Sequence, residues 1–192
     1  MRLYLVRHPR VDAPKNVCYG QADLACALGW QDQLPNAARL LPTEATIRVV
    51  SSPLRRCRVL AEAWVASYAP GRDILIEPDL MELSFGEWEG RLWSEIDRAD
   101  IDLWAQSTVG YAAPGGESLQ QLADRVAAVI ARLPMDGPDH VVFCHSGVIR
   151  VITAMLLGMP LENTLRFEVA HLSVTLLERH ALRPRLLYFN RV

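Results

Sequence analysis

Two histidines of this chain directly follow short apolar segments that predict buried strands. Residues 1–6 form one such segment, which leads into Arg7 and His8. Residues 140–144 form another, which leads into His145. Open α/β sheets bind their ligands beyond the carboxyl ends of the strands, where both imidazoles are expected. Because the two segments have the same design, we expect His8 and His145 to share one site.

Other charged residues near these strand ends suit a phosphate group. Arg7 precedes His8, Arg55 lies in the opening turn of a predicted helix, and Glu82 lies in an irregular segment. Guanidinium groups bind phosphate oxygens in pairs of hydrogen bonds. A cation at the start of a helix opposes the helix dipole, so Arg55 requires an anionic partner. Two arginines, two histidines and one carboxylate therefore predict a site for a phosphorylated ligand.

The elements that must position these residues alternate between strands and helices. Apolar runs predict strands at residues 1–6, 47–50, 74–77 and 140–144, and alternating runs predict antiparallel edge strands at 165–169, 173–178 and 186–189. Apolar residues at helical spacing predict helices over 30–41, 54–68, 91–106, 118–133 and 148–157. This order predicts βαβ units in an α/β fold, a three-layer α/β/α sandwich with a mostly parallel sheet.

Length and composition restrict the class of protein. The 192 residues predict a single domain over 1–192, with a helical or loop excursion at about 91–116 that covers the site. The net charge of -2 gives no reason to expect a nucleic-acid partner, and no apolar run is long enough to span a membrane. The four cysteines lack C-x-x-C spacing, which predicts reduced thiols in a cytoplasmic protein.

Five short motifs between residues 3 and 150 are similar to signatures of one enzyme family. They are Arg7-His8, Ser51-Ser52-Pro53-Leu54-x-Arg56, Glu82-Leu83-x-Phe85-Gly86-x-Trp88-Glu89-Gly90, Gly115-Gly116-Glu117-Ser118 and His145-Ser146-Gly147. Their types and order resemble the histidine phosphatase superfamily, in its phosphoglycerate mutase branch. The resemblance implies a phosphoglycerate mutase-like fold and a phosphoric monoester hydrolase that requires neither a metal nor a cofactor.

The resemblance also implies a role for each candidate residue. His8 would be the nucleophile that forms a phosphohistidine, which water then hydrolyses. Arg7, Arg55 and His145 would stabilise the charge on the transferring phosphoryl group. Glu82 would protonate the leaving alkoxide and afterwards activate the water.

Two of these assignments leave alternatives open within the motifs. Both Arg55 and Arg56 follow the Ser-Ser-Pro-Leu run, and we expect Arg55 to contact the phosphate. Glu87 and Glu89 compete with Glu82, which we prefer because of its place in the motif.

The remaining histidines and tryptophans are expected to have structural roles. We expect structural roles for His140, His171 and His180. We expect core positions for Trp88, Trp93 and Trp104, of which Trp88 could also line the cleft.

The first long loop, residues 10–29, carries the residues that predict the substrate. Pro9 replaces the usual glycine of the family and removes a backbone N–H. The sequence Arg-His-Pro followed by Cys18-Tyr19-Gly20-x-x-Asp23-Leu24 most resembles α-ribazole phosphatases. Substrate contacts are therefore expected from Asn16, Tyr19, Gly20 and Ser146, in addition to Arg7 and Arg55.

Three hypotheses for the function follow. The favoured substrate is α-ribazole 5'-phosphate, in assembly of the cobalamin nucleotide loop. The alternatives are a phosphoglycerate mutase or broad sugar-phosphate phosphatase, and a binding module in which Pro9 has weakened catalysis. The partner is a small phosphorylated molecule in each case, and an edge strand near the carboxyl end could support a homodimer.

Overall fold

A six-stranded sheet forms the centre of the molecule, in a computed structural model that describes residues 1–192. The strands are β1 (Arg2–Arg7), β2 (Arg48–Ser51), β3 (Ile74–Ile76), β4 (His140–Cys144), β5 (Val174–Glu178) and β6 (Arg185–Arg191). Their order is β3-β2-β4-β1-β5-β6. The first four strands are mutually parallel, and β5 runs antiparallel to both β1 and β6. The predicted mostly parallel sheet is confirmed.

Helices cover both faces of this sheet. They are α1 (Leu34–Ala38), α2 (Arg55–Tyr68), α3 (Arg98–Gln106), α4 (Leu119–Arg132) and α5 (Ser146–Leu157). Successive strand residues point to opposite faces. In β1, Leu3 and Leu5 therefore pack in the apolar cluster with α4 and α5, whereas Tyr4 and Val6 pack in the cluster with α1 and α2. These two cores confirm the three-layer α/β/α prediction.

Three predicted elements differ from the structure. The predicted strand at 165–169 is absent, because Leu161–Arg166 forms a 3-10 helix and residues 167–169 have no regular secondary structure. The predicted helix at 91–106 begins only at Arg98, because the Asp97 carboxylate accepts a hydrogen bond from the backbone N–H of Ala99 and caps the helix there. The predicted helix at 30–41 begins as 3-10 helix and becomes α1 over Leu34–Ala38.

The segment 91–116 carries α3 and packs against the first long loop. Leu92 forms an isolated antiparallel bridge with Val17, and the backbone N–H of Trp93 donates to the carbonyl of Asn16 at 2.9 Å. A third, small apolar cluster around buried Trp88 joins this segment to the loop that contains Glu82. The segment therefore forms one side of the region beyond the strand ends.

No helix of the structure combines the length and the apolar character that a bilayer crossing requires.

Candidate active site

The two imidazoles that follow β1 and β4 lie next to each other. β1 and β4 are neighbours with Arg7 opposite Cys144, so the residues that follow both strands emerge side by side. The ring centroids of His8 and His145 are 5.1 Å apart, and the two side chains are 1% and 0% exposed. The backbone N–H of His8 also donates to the carbonyl of Cys144 at 3.0 Å. The sheet register thus brings together two rings that are far apart in sequence.

The environment of His8 leaves one ring nitrogen available as a nucleophile. Nδ1 lies 2.6 Å from the Pro9 carbonyl oxygen, which can only accept, so Nδ1 carries the proton. Burial, with the charges of His145 and Arg56 next in weight, lowers the pKa of His8 well below its ordinary value. The ring is therefore neutral, with the lone pair on Nε2. Proline has no backbone N–H to donate, but the carbonyl of Pro9 sets the tautomer of His8 in which Nδ1 is protonated.

Both ring nitrogens of His145 have polar partners. Nε–H of Arg56 donates to Nδ1 at 3.3 Å, so Nδ1 bears a lone pair and Nε2 bears the proton. Nε2 lies 2.8 Å from the Ser52 hydroxyl oxygen. Burial is the main cause that lowers the pKa of His145 well below its ordinary value, followed by the charge of Arg56. His145 is therefore neutral and held between an arginine and a serine.

The arginine that contacts His145 is Arg56, whereas Arg55, which we expected to contact the phosphate, lies at the protein surface. Arg56 is fully buried, and its guanidinium donates to the carbonyls of Ala22 at 2.7 Å and Gly20 at 2.6 Å as well as to His145. Arg55 is exposed at the first position of α2, where its backbone N–H donates to Asp23. Consecutive helical residues point about 100° apart, so only one of the two can face the site.

The helical pattern of α2 contained the information that identifies Arg56. Arg56, Leu60 and Trp64 are spaced by four residues and lie on one helix face, and all three are buried. This face packs against the sheet, so Arg56 enters the site from the buried side.

Arg7 supplies a second guanidinium from the end of β1. One terminal nitrogen donates to the carbonyl of Val169, and its buried Nε has no hydrogen-bond partner. No carboxylate lies within 4.0 Å of either Arg7 or Arg56, as every ion pair of the chain involves other arginines. Burying cations without counterions is costly, which indicates a site for an anion.

Glu82 lies against the start of α5, beside the residues that follow His145. Its carboxylate accepts hydrogen bonds from the backbone N–H groups of Leu83 at 3.0 Å and Gly147 at 3.1 Å, and from the Ser146 hydroxyl at 3.1 Å. Any Cβ on Gly147 would collide with Oε1 of Glu82, so this close approach requires glycine. Three donors thus hold a carboxylate beside the helix that His145 caps.

The alternatives to Glu82 have other positions. Oε1 of Glu89 accepts hydrogen bonds from the backbone N–H groups of Gln21 and Phe85, both at 2.9 Å, and Glu87 is exposed. Glu89 therefore connects the first long loop, through Gln21, to the segment that contains Glu82 and Phe85.

The backbone of Glu82 is fixed by an ion pair from another motif. Arg125 pairs with Glu117 at 2.5 Å and donates to the carbonyls of Asp79 at 2.7 Å and Glu82 at 2.9 Å. The Glu117 carboxylate also accepts from the backbone N–H of Ser84 at 2.9 Å. Nothing in the Gly115-Gly116-Glu117-Ser118 motif itself indicates this role of Glu117.

Three of the four predicted loop and helix contacts lie beside this site. The Tyr19 ring is 6.4 Å from that of His8 and 5.2 Å from the Arg56 guanidinium carbon. Gly20 and Ser146 contact the site as described above. Asn16 is exposed in left-handed backbone, with its carbonyl bonded to Trp93, and its side chain forms no hydrogen bond with the site. The expectation for Asn16 therefore lacks support from its position.

Two residues near the histidines were missed by sequence reasoning. Ser52 has no role assigned within its motif, and its hydroxyl oxygen contacts Nε2 of His145. His171, expected to be structural, has its ring centroid 5.4 Å from that of His8 and its Nδ1 3.2 Å from the His8 carbonyl oxygen. Burial is the main cause that lowers the pKa of His171 to about 4, so it is neutral near pH 7.

The cysteines beside the site are thiols with little nucleophilic character. Burial raises the pKa of both Cys57 and Cys144 above the ordinary value. The Cys57 sulfur lies 3.4 Å from Nε2 of His145 and donates to the carbonyl of Cys144 at 3.3 Å. These thiols pack around His145.

The geometry defines an α/β protein with a neutral, oriented imidazole at an anion site. The model of the histidine phosphatase superfamily (branch 1) matches residues 3–192, so the chain belongs to this superfamily. This membership and the named phosphatases among the relatives identify the chain as a phosphatase.

The relatives carry different substrate names. A glucosyl-3-phosphoglycerate phosphatase of Mycolicibacterium vanbaalenii is 29% identical over 174 residues, covering 84% of this chain and 76% of the relative. The adenosylcobalamin/alpha-ribazole phosphatase of Escherichia coli K12 is 29% identical over 175 residues, covering 88% and 85%. A mycobacterial glucosyl-3-phosphoglycerate phosphatase solved with VO3 has a TM-score of 0.84 and 28% identity, covering 100% and 99%. The VO3 group in that structure is consistent with a small phosphorylated substrate.

Proposed function

We propose that this phosphatase hydrolyses phosphomonoesters through a phosphohistidine on His8. The observation that carries the proposal is the buried pair of neutral imidazoles, 5.1 Å apart, beside two arginines that no carboxylate neutralises. A phosphate group would lie against Arg7 and Arg56, which match its charge. Arg56 therefore replaces Arg55 in the proposed set of phosphate contacts.

In the first step, the lone pair on Nε2 of His8 attacks phosphorus. The bond from phosphorus to the ester oxygen breaks, and its electron pair leaves with that oxygen. Glu82, protonated at this stage, transfers its proton to the oxygen and releases the alcohol. Arg7, Arg56 and His145 stabilise the charge on the phosphoryl oxygens, and His145 gains affinity for a proton once the phosphate is bound.

In the second step, water hydrolyses the phosphohistidine. The Glu82 carboxylate accepts a proton from the water as its oxygen attacks phosphorus. The bond from phosphorus to Nε2 breaks, and the electron pair returns to His8. The products are inorganic phosphate and the original enzyme with Glu82 protonated, so no metal or cofactor enters the cycle.

The finer proposal is that the substrate is α-ribazole 5'-phosphate. The loop residues Tyr19 and Gly20 that carry the resemblance to α-ribazole phosphatases support this choice through their contacts with Arg56. The name of the Escherichia coli relative supports it as well.

The test is phosphate release from a substrate panel, with His8→Ala and His180→Ala as matched variants. His180 is exposed, so its replacement removes an imidazole without touching the site. We expect α-ribazole 5'-phosphate to have the highest kcat/KM, and His8→Ala to lower kcat by a factor on the order of 10⁴ or more. Folded wild-type protein that releases no phosphate from either α-ribazole 5'-phosphate or an aryl phosphate would contradict the proposal.

The same panel separates the alternative functions. Isomerisation of 3-phosphoglycerate without hydrolysis would indicate a mutase, and a higher kcat/KM for sugar phosphates would indicate a broad phosphatase. Binding of vanadate without any phosphoryl transfer would indicate a binding module. An acid-labile phosphoryl label on His8 would exclude that last alternative.

A further inference from the structure

A second cavity lies where the parallel strands begin, at the end of the sheet opposite the candidate active site. This strand-start cavity has a volume of about 660 Å³. It is lined by the first residues of β2, β3 and β4, which are Arg48, Ile74 and His140, and by the turn 71–73 before β3. β4 leads from His140 to His145, which five steps of strand rise place roughly 16 Å away. The strand-start cavity is therefore separate from the candidate active site.

The strand-start cavity includes a part of the sheet face that the helices leave open. Residues paired across neighbouring strands share a face, and Leu3, His140 and Arg48 are paired in one row across β1, β4 and β2. Leu3 packs in the cluster with α4 and α5, so His140 and Arg48 project from that same face. In the row with Val50, Leu75 of β3 is 60% exposed. This corner of the face is therefore accessible to a ligand.

Two buried polar atoms at the strand-start cavity lack a hydrogen-bond partner. They are Nε of Arg72 and Nδ1 of His140, two of only five such side-chain atoms in the chain. Both residues line the cavity, and His140 is 5% exposed. Burial lowers the pKa of His140 and the Pro138 carbonyl acts in the opposite direction, so the ring is neutral near pH 7. Unpaired buried polar atoms are uncommon, and two at one cavity indicate that a polar ligand belongs there.

Positive charge predominates around the strand-start cavity. Arg48 and Arg72 both line it, and no carboxylate lies within 4.0 Å of either guanidinium. Asp73 lines the cavity as well, and its side chain forms no ion pair. Two positive charges thus face a single negative one beside the neutral ring of His140. This balance favours an anionic ligand over a cationic one.

We propose that the strand-start cavity binds a small organic anion with a carboxylate or phosphate group and an apolar body. Arg48 and Arg72 donate hydrogen bonds to the anionic group, because guanidinium groups match both kinds of anion. The apolar body contacts Val50 and Leu75, which line the cavity beside the arginines. The inference does not rest on the proposed function, since the cavity shares no residue with the candidate active site.

The first test observes the ring resonances of His140 by NMR in the unmodified protein. The probes are phenylphosphonate, whose carbon–phosphorus bond resists hydrolysis, and benzoate. His140→Gln assigns the signal among the five histidines. We expect a saturable shift of the His140 ring with at least one probe, and the probe that gives it identifies the preferred anionic group. Benzyl alcohol, which has the ring without the charge, should give no shift.

Two results of this titration would overturn the inference. One is an unchanged His140 ring with both probes at about 10 mM, a concentration tenfold above a millimolar Kd. The other is a shift that orthovanadate abolishes, because it would then arise from binding at the candidate active site.

The second test removes one guanidinium at a time. Arg72→Met keeps an unbranched side chain without donors and should raise the Kd of the bound probe about 10-fold, the loss expected for a charged hydrogen bond. Arg48→Met should have the same effect, and its exposed position keeps the test available if Arg72→Met does not fold. Arg58→Met is the matched control, because Arg58 is an exposed arginine of α2 outside the cavity. Equal Kd values in all three variants would contradict the inference.

The third test concerns the apolar part of the strand-start cavity. Leu75→Ala should raise the Kd of phenylphosphonate or benzoate about threefold, because less apolar surface is then buried by the ring. Inorganic phosphate, which has no apolar body, should bind more weakly than phenylphosphonate to the unmodified protein. Equal Kd values for phosphate and phenylphosphonate, together with no effect of Leu75→Ala, would contradict the role assigned to the apolar body.

Discussion

The ends of β1 and β4 look alike in sequence, yet the structure gives their histidines different partners. Each strand is an apolar run that leads into a histidine and a turn. His8 has one ring nitrogen bonded to the Pro9 carbonyl, which leaves Nε2 unprotonated. His145 has Arg56 on one nitrogen and Ser52 on the other. The end of each strand places an imidazole in the site, and its hydrogen-bond partners set the tautomer: the adjacent Pro9 for His8, and Arg56 and Ser52 from another part of the chain for His145.

The largest expected effect is on covalent labelling of the enzyme, which distinguishes the role of His8 from that of His145. In a single turnover with radiolabelled phosphomonoester, His8→Ala should yield no phosphoenzyme, because the attacking nitrogen is gone. His145→Ala should slow labelling by about 10²–10³, the usual loss for one stabilising donor, and still place the label on His8. Rapid quench and acid lability of the label provide the measurement. A phosphoenzyme that forms in His8→Ala but not in His145→Ala would reverse the assignment.

The next largest effect is on kcat/KM, which should distinguish the two adjacent arginines at the start of α2. Arg56→Ala removes three hydrogen bonds, including the one to His145, and should lower kcat/KM by about 10²–10³. Arg55→Ala should stay within about twofold of wild type, because its side chain is exposed. Steady-state kinetics at one pH, with circular dichroism to verify folding, decides between them. Equal losses in both variants would show that the exposed arginine also reaches the substrate.

The smallest effect concerns stability, to which both histidines should contribute in the same direction. Burial lowers the pKa of His8 and of His145, so the folded protein leaves them neutral. The unfolded chain protonates them below about pH 6.5, and stability must fall as the pH falls below that value. The slope is at most about 1.4 kcal/mol per pH unit for each group.

Urea unfolding between pH 7.5 and 5.5 measures this slope. His145→Asn should reduce the loss of stability across the range, and so should His8→Asn. The control is His180→Asn, which should leave the slope unchanged because His180 is exposed. A slope that no buried-histidine variant alters would refute the shared contribution.

Most of the sheet could be predicted because strand patterns are local. The runs before His8 and His145 gave β1 and β4, and the carboxyl ends of parallel neighbours meet at one edge. The run at 165–169 was misread as a strand because alternation over five residues also occurs in irregular segments. Whether such a segment forms a strand depends on pairing with a strand distant in sequence, which the local pattern does not reveal.

The sequence by itself determined the fold class and the two strand-end histidines, since both follow from apolar periodicity and motif order along the chain. Only the tertiary structure decided that Arg56 rather than Arg55 faces His145, and that Trp93 and Trp104 both pack against the Trp88 cluster and line a cavity. The reason is geometric. Consecutive residues on a helix point in directions about 100° apart. Whether an aromatic side chain is buried in a core or lines a cavity depends on which other elements pack against it.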